Sequence, residues 1–195
     1  EVEKGTRLVV SVYARRLVPY LADAVPGWFQ ATLALYDIDG NEIAYRDDFR
    51  IDPDPVIYYD IPHTGEYTLE VKDSIYRGRE DFVYRILVGE VAYLTGIFPL
   101  GGQVGTKTAL EVEGWNLPKK AVIVDGRDRS PGIVQVSVSS HGLQSNLLPF
   151  VLDTLPEQLE EEPNNGPGQA SSVTLPTVVN GRIDRPGDWD GFRLD

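Results

Sequence analysis

Ala-Thr-Leu-Ala-Leu-Tyr (31–36), Asp-Ile-Asp-Gly-Asn (37–41) and Glu-Ile-Ala-Tyr (42–45) run on without a break. Two apolar-alternating segments flank Asp39-Gly40, a pair that favours the positive φ of a tight hairpin. The same period of two recurs outward in both directions. Leu8, Val10 and Val12 line one face of an early run, followed later by Tyr67, Leu69 and Val71, and then by Phe82, Tyr84, Ile86 and Val88. Further on, Leu110 and Val112 alternate with Glu111 and Glu113, and Val134, Val136 and Val138 with Gln135 and Ser137. Each run reads as a strand with one buried and one wet face. No window of a dozen residues carries a helical period, and the 14 prolines and 19 glycines fall mostly between the runs. The expected fold class is all-β, built as sandwiches.

Composition narrows the chemistry. Eighteen basic and 30 acidic residues give a net charge of −12, which argues against a nucleic-acid partner. The longest apolar stretches are four to six residues, so no membrane insertion is expected. With no cysteine there are no disulfides, thiolate nucleophiles or thiolate metal sites, and the two histidines, His63 and His141, do not make a zinc site. Composition shifts near 89–95 and over 155–168 divide the chain into 1–90, 91–154 and an acidic tail, 155–195.

Within these pieces, Glu-Glu-Glu-Pro-Asn-Asn (160–165) followed by Asn-Gly-Arg-Ile-Asp-Arg-Pro-Gly-Asp-Trp-Asp-Gly-Phe-Arg-Leu (180–194) resembles the opening of a bacterial pre-peptidase C-terminal (PPC) domain. Segments 4–17, 33–40, 63–71 and 82–86 resemble its later strands. The middle piece, with Pro99-Leu100-Gly101-Gly102, Gly114-Trp115-Asn116-Leu117 and Gly142 to Asn146, resembles an IPT/TIG domain, a small immunoglobulin-like module. The order is similar to large multidomain proteins of planctomycete-type bacteria. The resemblance implies a PPC-type, jelly-roll-like sandwich over 1–90 that lacks its opening strands, with the next PPC domain begun by 155–195. It also implies strand complementation: the missing strands are supplied by the chain's own tail or by a neighbouring copy. In either case Phe192 and Leu194 are expected to be buried beside the Leu8–Val12 run, with Arg193 outward.

Motifs with chemical content are few. Residues 101–108 lack the Gly-Lys pair of a phosphate loop and read as an inter-strand turn. Asp37 to Asn41 places its glycine too early for an EF-hand and reads as a hairpin turn. Asp47, Asp48, Asp52 and Asp54 read as a solvated acidic loop, and His63 as a turn residue facing solvent. Ser139, Ser140 and His141 are neighbours on one strand, which points successive side chains to opposite faces. Trp28 and Phe29, with Tyr20, read either as an exposed aromatic platform or as core.

One constellation stands out: Glu160, Glu162, Asn164, Asn165, Asp188 and Asp190. Residues two apart on an extended segment share a face, and calcium takes six to eight hard oxygens. In bacterial collagenases the resembling segment binds calcium, which implies these six as ligands here. The alternative is a solvated acidic linker whose Asp and Asn cap turns. No nucleophile, base and orienting group can be named together, so the chain reads as a non-catalytic module of an exported or cell-surface protein, serving assembly, spacing or adhesion. The competing reading is an accessory module of a secreted hydrolase that binds an extracellular polymer, polysaccharide or protein.

Overall fold

The structure is a computed structural model that describes residues 1–18 and 28–194. Every regular element among the described residues is a strand, and the chain divides into two compact units, Glu1–Val91 and Ala92–Asp195.

The first unit contains β1 (Arg7–Tyr13), β2 (Ala31–Tyr36), β3 (Glu42–Arg46), β4 (Val56–Asp60), β5 (Thr68–Asp73) and β6 (Arg85–Gly89). They form two antiparallel sheets, ordered β4-β1-β6 and β3-β2-β5. Leu8, Val10 and Val12 of one sheet pack with Ala31, Leu33 and Leu35 of the other, and Tyr67, Leu69 and Val71 close the core from its side. The Asp-Gly hairpin forms between β2 and β3, with Gly40 at φ +81° and the Asp37 carboxylate accepting from the Asp39 and Asn41 amides.

Two expectations are corrected in this unit, and one open choice is settled. β1 and β2 have no wet face, because Val9, Ser11, Thr32 and Ala34 are as buried as their core-facing neighbours. The run at 82–88 is a shorter strand that starts at Arg85, with Tyr84 and Val88 exposed, since only Phe82 and Ile86 reach the core. Trp28 and Phe29 are only 3% and 4% exposed, and Phe29 stacks on Phe82 at 5.4 Å, so they belong to the core and form no surface platform. Tyr20 lies outside the described residues.

Two buried carboxylates brace the loops. Asp54, fully buried, accepts hydrogen bonds from the backbone N–H groups of Ala14, Arg15 and Arg16, so this part of the acidic run is a structural anchor and not solvated. Asp52 pairs with Arg16 at 2.5 Å, whereas Asp47 and Asp48 are exposed. Asp73, also buried, takes Nε and Nη2 of Arg77 and the amides of Gln30, Ile75 and Arg77. The Arg77 guanidinium and these amides hold its carboxyl down at about 2.

The second unit contains β7 (Tyr93–Phe98), β8 (Gly101–Gln103), β9 (Lys107–Trp115), β10 (Ala121–Asp125), β11 (Gly132–Val136), β12 (Ser139–Ser140), β13 (Leu143–Gln144) and β14 (Leu148–Asp153). Sheet β10-β9-β7 faces sheet β11-β14-β8, in which β14 and β8 run parallel. Leu110, Phe150, Leu152 and Val136 fill the space between, and Leu94, Val112 and Val138 form a second cluster. The motif residues do structural work. Asn146 donates to the Leu94 carbonyl and accepts from the Leu94 amide, while Ser145 Oγ accepts from Val138 N. A Cβ on Gly114 would lie 2.0 Å from the Tyr93 carbonyl oxygen, so only glycine allows the bulge where β9 passes β7. The turn at 104–106 joins β8 to β9, as expected of an inter-strand turn.

The tail adds β15 (Glu157–Leu159), β16 (Ser171–Val173), β17 (Val178–Asn180) and β18 (Phe192–Leu194) to this unit. They pair in parallel, β15 with β17 and β16 with β18. This overturns the expected pairing of Phe192 and Leu194 with the chain's own Leu8–Val12 run. Both edges of β1 are already bonded, to β4 and to β6, so it has no free edge to accept a strand; Leu194 is 66% exposed.

Three substitutions check this description. Asp73→Asn should cost about 2 kcal/mol near neutral pH, because a carboxyl whose folded pKa is depressed stabilises the fold above its unfolded value. The gap from wild type, followed by urea denaturation, should close as the pH falls from about 4 towards 2, where the native carboxylate is also protonated. Gly114→Ala should cost on the order of 3 kcal/mol through backbone overlap, while Gly65→Ala, whose Cβ meets nothing within 4 Å, should stay within about 0.5 kcal/mol.

Candidate metal centre

The acidic tail folds back so that its two charged segments meet. Backbone N–H of Glu160, just past β15, donates to the Asn180 carbonyl at the end of β17, and Gly191 N donates to the Asn164 carbonyl beside β18. These links bring the 160–165 segment against 181–191. Carboxylate oxygens of Glu160, Glu162 and Asp190 then all lie within 4.8 Å of one another. Like charges this close disfavour joint ionisation, and the Glu160 carboxyl is pushed above its usual range, first by burial and then by Asp190 and Glu162. The Arg182 amide, which donates to Glu160 Oε1, pulls the other way.

Five buried side-chain polar atoms without a hydrogen-bond partner belong to four of the six expected residues: Glu160 Oε2, Asn164 Oδ1 and Nδ2, Asp188 Oδ1 and Asp190 Oδ1. Asn164 is fully buried. Burying such atoms unpaired is costly, and orphaned oxygens beside a carboxylate cluster are what a hard cation would satisfy. A cation accounts for the oxygens, not for Asn164 Nδ2. The cradle also depends on glycine: a Cβ at Gly181 would lie 2.6 Å from Glu160 Oε2 and 3.1 Å from Asp190 Oδ2.

The remaining groups hold the loop. Glu162 Oε2 accepts from Asn164 N and Asn165 Nδ2, and Asp188 Oδ2 accepts from Asp184 N. Asn165 Oδ1 accepts from Trp189 N, so both polar ends of Asn165 are occupied and it braces 162 against 189. The three carboxylates that meet, Glu160, Glu162 and Asp190, offer hard oxygens of the kind calcium takes, and Asn164 and Asp188 leave further unpartnered oxygens on the same two segments. Sequence reasoning missed Gly181, whose signal was its place directly after β17, where the two segments approach.

The other motifs resolve simply. His63 is exposed in its turn. Ser140 Oγ and His141 Nδ1 lie 3.1 Å apart, contrary to the opposite-face expectation, because His141 leaves the strand at φ +50° and swings its ring back. His141 Nε2 has no partner among the described residues, so no acid orients the ring.

No family model, no curated protein and no solved structure matches this chain.

Gly181→Ala should weaken calcium binding about tenfold or more, by displacing the Glu160 and Asp190 carboxylates, while leaving the melting temperature in chelator nearly unchanged. Calorimetric titration with calcium, paired with thermal scans in chelator, reads both.

Proposed function

We propose that the chain is a non-catalytic, calcium-stabilised β-sandwich module of an exported or cell-surface multidomain protein, PPC-like and TIG-like in its motifs, serving assembly or spacing. The observation that carries this reading is the convergence of Glu160, Glu162 and Asp190, in a tail where Asn164 and Asp188 also leave buried oxygens without a partner. Within it, Glu160 and Glu162 come from one segment of the tail, and Asp188 and Asp190 from another. Bound calcium would neutralise their repulsion and cross-link two segments whose strands are only three residues long. Calcium is plentiful outside cells, where a site with a modest Kd would stay filled. The motif resemblance supports an exported parent, and the fold supports a spacer with its surfaces outward. A strand donated by a neighbouring copy would add to an outer edge such as β5 or β6, since β1 is enclosed.

Thermal unfolding with and without calcium tests this. A ligand bound only by the folded state adds about 2.7 kcal/mol at about a hundred times its Kd, a rise of several degrees in Tm. Glu160→Gln and Asp188→Asn should abolish most of that rise, whereas Asp48→Asn, on an exposed loop, should keep it. Equal melting temperatures in chelator and in millimolar calcium would sink the proposal.

A further inference from the structure

Between the tail and the second unit's sandwich lies a cavity of about 340 Å³ that nothing above uses. Its walls are mostly apolar, with Phe98, Leu100, Val151 and Val178, and it holds two carboxylates, Asp153 and Glu157, with no basic side chain in its lining. Both carboxylates are half-committed. Glu157 Oε2 accepts from Asn180 Nδ2 at 2.6 Å, and Asn180 is in turn fixed by the Leu100 amide donating to its Oδ1 at 2.9 Å. Asp153 Oδ1 accepts from the amides of Thr154 and Leu155. Glu157 Oε1 and Asp153 Oδ2 take no hydrogen bond from any described residue. Burial pushes the Glu157 carboxyl above its usual range; the Asn180 hydrogen bond opposes this, and the nearby Asp153 charge adds to it. Arg182 lies across the Phe98 ring at 3.8 Å and is already paired with Glu111 at 2.8 Å.

We infer that this cavity binds a primary alkylammonium group, such as a lysine side chain, with its stem on Phe98, Leu100 and Val178 and its head between Glu157 and Asp153. The size sits at the low end for small-molecule sites and has room for one short chain. The charge calls for a cation, and the apolar walls call for a hydrocarbon stem. The choice of ammonium over guanidinium follows from the oxygens. A guanidinium fork wants both oxygens of one carboxylate, and here each carboxylate has one oxygen taken. An ammonium has three independently directed donors and can serve two single oxygens.

The test titrates the full chain, in excess calcium, with pentylamine, pentanol, butylguanidine and N-acetyl-lysine methylamide, following the Leu100 and Val178 methyl resonances. Pentylamine should give saturable shifts, with pentanol and butylguanidine weaker by about tenfold or more. Glu157→Gln, which keeps an acceptor for Asn180, should lose about tenfold for the amine, while Asp128→Asn, in an exposed turn of the same unit, should bind it as wild type does. If the lysine derivative matches pentylamine, the occupant is a protein side chain; if only pentylamine binds, it is a small free amine. Pentanol binding as tightly as pentylamine would overturn the inference, on wild-type protein alone. So would an unchanged amine affinity in a folded Glu157→Gln variant.

Discussion

Three carboxylates within 4.8 Å of one another, partly shielded from water, are the constraint on which the tail depends. At a few ångströms, like charges in a medium of reduced dielectric repel by several kcal/mol. The tail offers little to oppose that. Its strands are three residues each and pair in isolated twos, a size at which parallel ladders are marginal without packing or cross-links. Apart from the buried Val173, what holds it is polar: Asn180 bridges Leu100 and Glu157, and Arg182 bridges Phe98 and Glu111. On the proposed function, a hard divalent cation would turn the acidic cluster into a cross-link between 160–162 and 190.

The sandwiches are held differently. Each has an apolar core between its two sheets, and most of their buried polar groups are paired, Ser11 Oγ and Trp28 Nε1 being exceptions. Asp54 and Asp73 each collect backbone amides from a loop that would otherwise bury them unpaired, and Ser145 and Asn146 do the same for β7 and the β12–β13 hairpin. Unpartnered oxygens gather instead around the acidic cluster. That contrast is why the proposed ion site lies in the tail and not in either sandwich.

Much of this was legible in the sequence, and the failures have specific causes. Alternation identified Leu8, Val10, Val12, Leu110 and Val112 as core because period two is a local property of extended backbone. It missed the burial of Val9, Ser11, Thr32 and Ala34, because small or apolar residues on a second face look the same whether that face is covered or wet. Strand partners are a tertiary choice. The resemblance pointed 192–194 towards β1, while the bonds that decide the matter belong to β4, β6 and β16. The six acidic and amide residues came from the resemblance together with their two-residue spacing, and the meeting of two segments of the tail brings three of them, Glu160, Glu162 and Asp190, together. The bracing role of Asn165 and the need for Gly181 are contact properties that spacing does not encode. Asp54 carried a faint signal, an aspartate between two prolines next to Asp52, which composition alone reads as a wet acidic run.

The central claim is that a hard cation sits among Glu160, Glu162, Asn164, Asp188 and Asp190, and Trp189 offers a built-in reporter between the last two. Terbium, a luminescent stand-in for calcium, should show emission sensitised by tryptophan excitation, competed away by calcium and largely lost in Trp189→Phe, while Trp28→Phe and Trp115→Phe keep it. Absence of sensitised emission, or emission indifferent to replacing Trp189, would contradict the account.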